Sequence, residues 1–292
     1  MLVEKRFRAR EAVLNYAEGP ESGPPMLLIH GLTDRWQYYL PILPFLSERW
    51  HVYAIDFRGH GGSSWTPPYR YLDHINDTIT FIEENVKEPV VIFGSSMGGM
   101  VALMIAAKRS KQVKAVIFGD SSIKTDRTRQ VMIDFHSYWD GWRKLAGYGG
   151  PFKELVRLVS EMPVSVPGQG KKTYGEGLDS ISLMNKANYL RCLDPDVLTD
   201  WAMGDRDADA FKHVTTGYDE KFLKEIKCPV LLVQGNPKKG GIFTDEAVAF
   251  AKENIKDSYH VYISEYDHNL GLYSWDTSKL LQAVNVFLES LR

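Results

Sequence analysis

Short apolar runs bounded by glycine, proline and charged residues alternate along this chain with longer segments whose apolar residues recur every three to four positions. The first kind reads as strands buried on both faces, the second as helices lying against them. Eight runs qualify as strands: 3–9, 12–17, 25–30, 51–56, 89–94, 114–120, 229–235 and 259–264. Between them Ile75, Ile79, Ile82 and Val86 share one helical face, and Leu281, Val284, Leu288 and Leu291 do the same near the end of the chain. The run GMVALMIAA (99–107) is apolar on every side, as a helix enclosed between a sheet and an outer layer must be. The pattern predicts an α/β fold with a mostly parallel eight-stranded sheet flanked by helices.

The alternation fails after Asp120. From there to Pro229 no further strand is expected; aromatic-rich helical stretches (135–150) and a Pro/Gly-rich loop (163–177) take over. Residues 124–215 therefore read as a helical cap or lid inserted into a core made of 1–123 and 216–292. Insertions at the carboxyl ends of strands in open α/β sheets are where ligands bind.

Composition narrows the possible partners. With 35 Lys+Arg against 37 Asp+Glu the formal charge is −2, and no long block of like charge suggests nucleic acid or an anionic membrane surface. Hydrophobic residues at 44% and charged residues at 25% are ordinary for a globular protein, and 292 residues suffice for one large α/β domain with an insertion. The first residues lack an uninterrupted apolar core, so no secretory signal is expected, nor is any bilayer-spanning stretch present. Cys192 and Cys228, far apart and in no metal-like spacing, read as reduced thiols of a cytoplasmic protein. No metal and no cofactor are called for, and a small molecule is the expected partner.

Against that background one segment stands out. Gly-Ser-Ser-Met-Gly (94–98) lies between the strand PVVIF and the apolar helix, and a strand that turns sharply into a helix at a serine flanked by glycines is a nucleophile elbow. Side chains at Gly94 and Gly98 would collide across so tight a turn, and Ser96 itself must take a strained backbone conformation. The helix behind it aims the free N–H of Met97 at any oxyanion formed when Ser96 attacks a carbonyl. A serine hydroxyl needs a base, and histidine has the suitable pKa. Of eight histidines, His268 in EYDHNLG (265–271) follows the last strand on the edge where the elbow opens. His30 reads as a brace for the loop it begins, and His60 sits in a glycine-rich turn. A second oxyanion donor is expected from HGLTD (30–34), where Gly31 permits close approach and Leu32 offers its N–H.

HGLTD, DFRGHGGS (56–63), GSSMGG (94–99) and the terminal Asp-His (267–268) occur in an order and spacing that resemble the α/β-hydrolase family, in its serine-nucleophile, esterase-like branch with a helical cap. The resemblance covers the chain outside the insertion. It implies Ser96 as nucleophile, His268 as base, Leu32 and Met97 as oxyanion-hole donors, and Asp56 and Arg58 as a structural pair. A serine nucleophile sets the chain apart from the haloalkane-dehalogenase and epoxide-hydrolase branches, which use aspartate.

One departure concerns the third catalytic residue. The family's usual acid follows the seventh strand, where this chain reads GNPKKGG (235–241), with Lys238 in the acid's place. Asp120, ending the sixth strand in VIFGDSS, is the favoured substitute. It keeps the order Ser…Asp…His. Asn236 could supply only an orienting amide, and Asp245 reads as a helix-dipole partner behind a Thr244 cap.

Trp36, Tyr138, Trp139 and Trp142 are the candidate pocket residues, and Trp65, Tyr148 and Phe152 add apolar surface nearby. Together these features predict hydrolysis of a small to medium, largely apolar carboxylic ester through an acyl-enzyme. Two alternatives stand beside it: a carbon–carbon bond hydrolase acting on ring-cleavage diketones, and a non-catalytic ligand receptor on a hydrolase fold.

Overall fold

In the computed structural model, which describes residues 2–166, 170–203 and 207–291, the strands are β1 Val3–Ala9, β2 Ala12–Glu18, β3 Pro25–Ile29, β4 His51–Ile55, β5 Val90–Ser95, β6 Val113–Gly119, β7 Pro163–Val166, β8 Gly170–Thr173, β9 Val230–Gln234 and β10 Ser258–Tyr262. Eight of them form one sheet in the order β1-β2-β4-β3-β5-β6-β9-β10. The β1–β2 hairpin joins antiparallel to β4, and every other pairing is parallel. The eight expected strands are all present, with no bound moved by more than two residues.

Every residue of β3, β5 and β9 is buried. Side chains alternate between faces along a strand, so such a strand needs cover on both sides, and a continuous apolar run is the sequence that provides it. Two separate cores result. Ile75, Ile79, Ile82 and Val86 pack on one face together with the helix Met97–Lys108, and Leu281, Val284 and Leu288 pack on the other with Leu43 and Leu46. In the helix Met97–Lys108 every residue from Met97 to Ala106 is buried. Burying one large aliphatic side chain contributes about 1.5–3 kcal/mol, so these two layers fix the sheet against which the loops at its carboxyl edge are set.

Between β6 and β9 the chain forms helices Thr125–Asp134, His136–Leu145, Phe152–Glu161, Ser180–Arg191 and Ala208–Val214, with shorter turns between them. It is not wholly helical. β7 and β8 pair antiparallel from Pro163↔Thr173 to Val166↔Gly170, within the stretch read from sequence as a Pro/Gly loop. Four-residue strands are too short to show an alternating pattern, which is why the hairpin was not expected. Residues 167–169 of that stretch, and 204–206 of the insertion, lie outside the described residues. The insertion is tied to the sheet-edge loops by the Tyr69 hydroxyl donating to Asp194 and by Asp194 N–H donating to Gly59 C=O at 2.8 Å.

Candidate active site

β5 ends at Ser95, and the helix behind it begins at Met97, so the whole reversal falls on Ser96. Its φ of 53° and ψ of −124° lie outside the regions open to an ordinary L-residue, a strain of about 1–3 kcal/mol that the surroundings must hold. The Ser96 N–H donates to the Gly119 carbonyl at 2.9 Å, tying the turn to β6. A Cβ on Gly94 would overlap the Gly98 carbonyl oxygen, and one on Gly98 would overlap the carbonyls of Ile29 and His30. Both glycines are therefore required by space.

The HGLTD loop closes over this turn. A Cβ on Gly31 would stand 3.2 Å from the Ser96 Cβ, a tight contact that glycine avoids as the loop approaches the turn. His30 braces it: Nδ1 lies 2.7 Å from the Gly31 carbonyl and Nε2 accepts from the Phe57 N–H at 3.1 Å. His60 reaches the same loop, with Nε2 2.6 Å from the Leu32 carbonyl. Met97 is the first residue of its helix, so its N–H has no acceptor one turn back. Leu32 and Met97 both line a cavity of about 400 Å³ that opens above Ser96.

His268 lies beyond β10, and the structure brings it to the serine. Its Nε2 is 3.1 Å from Ser96 Oγ, and its Nδ1 is 2.7 Å from Asp120 Oδ2. Asp120 is wholly buried, at 0% exposure. Its Oδ1 accepts from Gly235 N–H at 2.9 Å and Phe243 N–H at 3.4 Å, and its Oδ2 from Ile242 N–H at 2.8 Å. The loop after β9 thus carries no acid of its own but wraps its backbone donors around the acid of β6. Burial works against a charged imidazole at His268; the Asp120 bond and carboxylate outweigh it and leave its pKa above the ordinary value. Once charged, that imidazolium faces a carboxylate already held in place, so proton uptake needs little rearrangement.

The other two candidates for the acid lie elsewhere. The Asn236 amide donates to the Ser264 carbonyl and its oxygen caps Lys238 N–H, so neither end touches His268. Asp245 accepts from Gln234 Nε2 at 2.8 Å in the first turn of a helix capped by Thr244.

Two expectations are corrected. Trp36 does not line the cavity; it is buried in the core on the opposite face of the sheet, with Nε1 donating to Glu4 at 2.8 Å. Trp36 begins a short 3-10 helix, Trp36–Tyr39, two residues past the loop and is buried away from Ser96, whereas Tyr138, Trp139 and Trp142 do line the cavity. Asp56 and Arg58 are not bonded to each other. Asp56 accepts from Asn15, Trp36 N–H and Gly62 N–H, and burial pushes its pKa up to about 6. Arg58 forks onto Asp77 at 2.6 and 2.7 Å, both side chains buried. Each side chain is therefore taken up by its own set of partners.

Among the cavity residues not expected from the sequence, Lys186 stands out. Lys186 is only 4% exposed, lines the cavity, donates to the Thr33 hydroxyl and lies with Nζ 4.0 Å from the centre of the Trp142 ring. The available signal was its place beside Leu183, Ala187 and Leu190 on the buried face of the helix Ser180–Arg191. A lysine in an apolar stripe is a buried charge awaiting an explanation.

Comparison with known proteins bears on this arrangement. A family model described as the alpha/beta hydrolase fold matches residues 24–155. The solved structure of E-2-(acetamidomethylene)succinate hydrolase superposes with a TM-score of 0.71 over 98% of each chain at 19% identity. This chain belongs to the α/β-hydrolase fold. Among curated relatives, the lipase LipV of Mycobacterium tuberculosis is 32% identical over 38% of this chain and 42% of its own length. A haloalkane dehalogenase of Mycobacterium marinum is 30% identical over 49% of this chain and 48% of its own length. The chain thus matches less than half the length of these relatives, and their names cover different reactions. The shared part of the α/β-hydrolase fold carries the elbow and its supporting loops; reaction type follows from the residues placed on them. No helix among the described residues is long and apolar enough to cross a membrane.

Proposed function

We propose that this α/β-hydrolase-fold chain is a serine hydrolase that cleaves a carboxylic ester through an acyl-enzyme. The unbroken hydrogen-bond chain from Asp120 through His268 to Ser96, ending at the floor of a cavity, carries this reading. His268 Nε2 takes the Ser96 proton as Oγ attacks the ester carbonyl carbon. The tetrahedral oxyanion is held by the N–H groups of Leu32 and Met97, each of a kind worth roughly 3–4 kcal/mol of transition-state stabilisation. His268 returns the proton to the departing alcohol, leaving the acyl group on Ser96. It then activates a water that releases the acid and restores the hydroxyl. Asp120 holds the Nδ1–H tautomer and balances the imidazolium charge.

In this reading residues 124–215 act as a cap over the site, and Tyr138, Trp139 and Trp142 form its apolar wall. A fluorophosphonate probe tests the core of the proposal. It is expected to label the wild-type chain at Ser96 and to leave Ser96→Ala unlabelled, with short 4-nitrophenyl esters turned over by the wild type alone. A well-folded wild type that takes no label and cleaves no ester overturns the proposal. Turnover of a vinylogous β-diketone with little esterase activity would instead assign the same serine to carbon–carbon cleavage.

A further inference from the structure

Lys186 poses a physical problem that the hydrolase mechanism leaves unsolved. An ammonium group has three donors and no acceptor capacity. One is used on the Thr33 hydroxyl, and the Trp142 ring faces the group, but no described carboxylate comes within 4.0 Å. Burial lowers its pKa to about 8, against the pull of Asp34. The group is therefore still mainly a cation at neutral pH. Asp34, which also lines the cavity, accepts from the Tyr273 hydroxyl at 2.6 Å and forms no ion pair with Lys186. An unpaired buried charge is costly, and such charges are normally paired.

Its neighbours share the same deficit. The indole Nε1 atoms of Trp139 and Trp142 are buried without any hydrogen-bond partner, and both residues line the cavity. The two rings lie 5.3 Å apart, with Lys186 against Trp142. Indole N–H groups only donate. Two indole donors without an acceptor, and a lysine whose one acceptor is the Thr33 hydroxyl, thus lie together in the residues that line the cavity. A bound molecule that satisfies them must bring acceptors, and the lysine favours acceptors carrying negative charge.

We propose that Lys186, with the indole N–H groups of Trp142 and Trp139, forms an anion subsite in the cavity, and that the natural substrate is an ester carrying a free carboxylate. The inference rests on the serine-hydrolase reading and adds the substrate class. Because Lys186 bonds Thr33, the residue next to Leu32, this subsite adjoins the loop assigned to hold the oxyanion. It therefore recognises a charge close to the scissile carbonyl, on its acyl or its alcohol side.

The test compares matched pairs: mono(4-nitrophenyl) glutarate against 4-nitrophenyl valerate, and 4-acetoxybenzoate against phenyl acetate, each rate corrected for spontaneous hydrolysis. In the wild type, kcat/KM for at least one acid-bearing ester is expected to exceed its neutral partner by about tenfold or more. That ratio is expected to fall about tenfold in Lys186→Met and about threefold in Trp142→Phe, which keeps the ring and deletes the donor. Fluorophosphonate labelling of the wild type with no preference in either pair overturns the anion subsite and leaves the hydrolase reading intact. A preference that survives Lys186→Met undiminished also overturns it. Failure of the wild type to label or to cleave any of the four esters overturns both. The wild-type comparison decides the matter even if Lys186→Met does not fold, and Trp142→Phe provides the second variant.

Discussion

Two buried carboxylates stand past the same edge of the sheet, Asp120 after β6 and Asp56 after β4 with β3 and β5 between those strands, and their surroundings differ. Both are essentially inaccessible, at 0% and 1% exposure, and both accept backbone N–H groups from loops that fold around them. Asp120 has in addition an imidazole at 2.7 Å that reaches a strained serine. Among the described residues Asp56 has only neutral hydrogen-bond partners, and burial, against the pull of Arg35, lifts its pKa to about 6. Depth and backbone donors alone make a carboxylate structural; in the proposed reading, a titratable partner next to a cavity is what gives Asp120 a chemical role.

This contrast can be broken by substitution. Asp120→Asn is expected to lower ester kcat/KM by about four orders of magnitude, because the amide favours the wrong imidazole tautomer and cannot balance its charge. Asp56→Asn and Asn236→Ala should each lose about tenfold or less in the same assay, since neither touches His268. Near-wild-type rates for Asp120→Asn with collapse in Asn236→Ala would reverse the assignment.

A smaller effect sharpens the contrast through stability. Asp56 has a folded pKa raised above its unfolded value, so between about pH 4 and 6 the folded state binds the extra proton. Stability then falls as pH rises through that window, by about 3 kcal/mol for a shift of about two units. Melting temperature measured against pH should show this decline in the wild type and a flatter profile in Asp56→Asn. Equal profiles would mean that neutral donors suffice to hold the charge.

Legibility in the sequence followed the physics of each feature. The strands could be read because two-sided burial forces uninterrupted apolar runs, and Ser96 because the turn admits only glycine at 94 and 98. Asp120 is the favoured acid from its place at the end of the sixth strand and the Ser…Asp…His order, but the backbone cradle from Gly235 to Phe243 that holds it leaves no trace in side-chain identity. The β7–β8 hairpin was hidden by its shortness. Trp36 was misplaced because proximity in sequence to the oxyanion loop does not say which face of the sheet a ring will enter. Lys186 was passed over because its meaning depends on what faces it across the cavity, Thr33 and Trp142, from segments 153 and 44 positions away in the chain.

The most direct test of the account is the pH dependence of fluorophosphonate labelling, which reports the protonation of the base without needing a substrate. His268 must be neutral to accept the Ser96 proton, and its pKa is raised, so labelling of the wild type should climb with pH along a limb centred above 6.5. In Asp120→Asn the limb should move to lower pH while the plateau rate drops sharply. A limb that stays in place, with the plateau preserved, would contradict the claim that Asp120 charges and orients the histidine that activates Ser96.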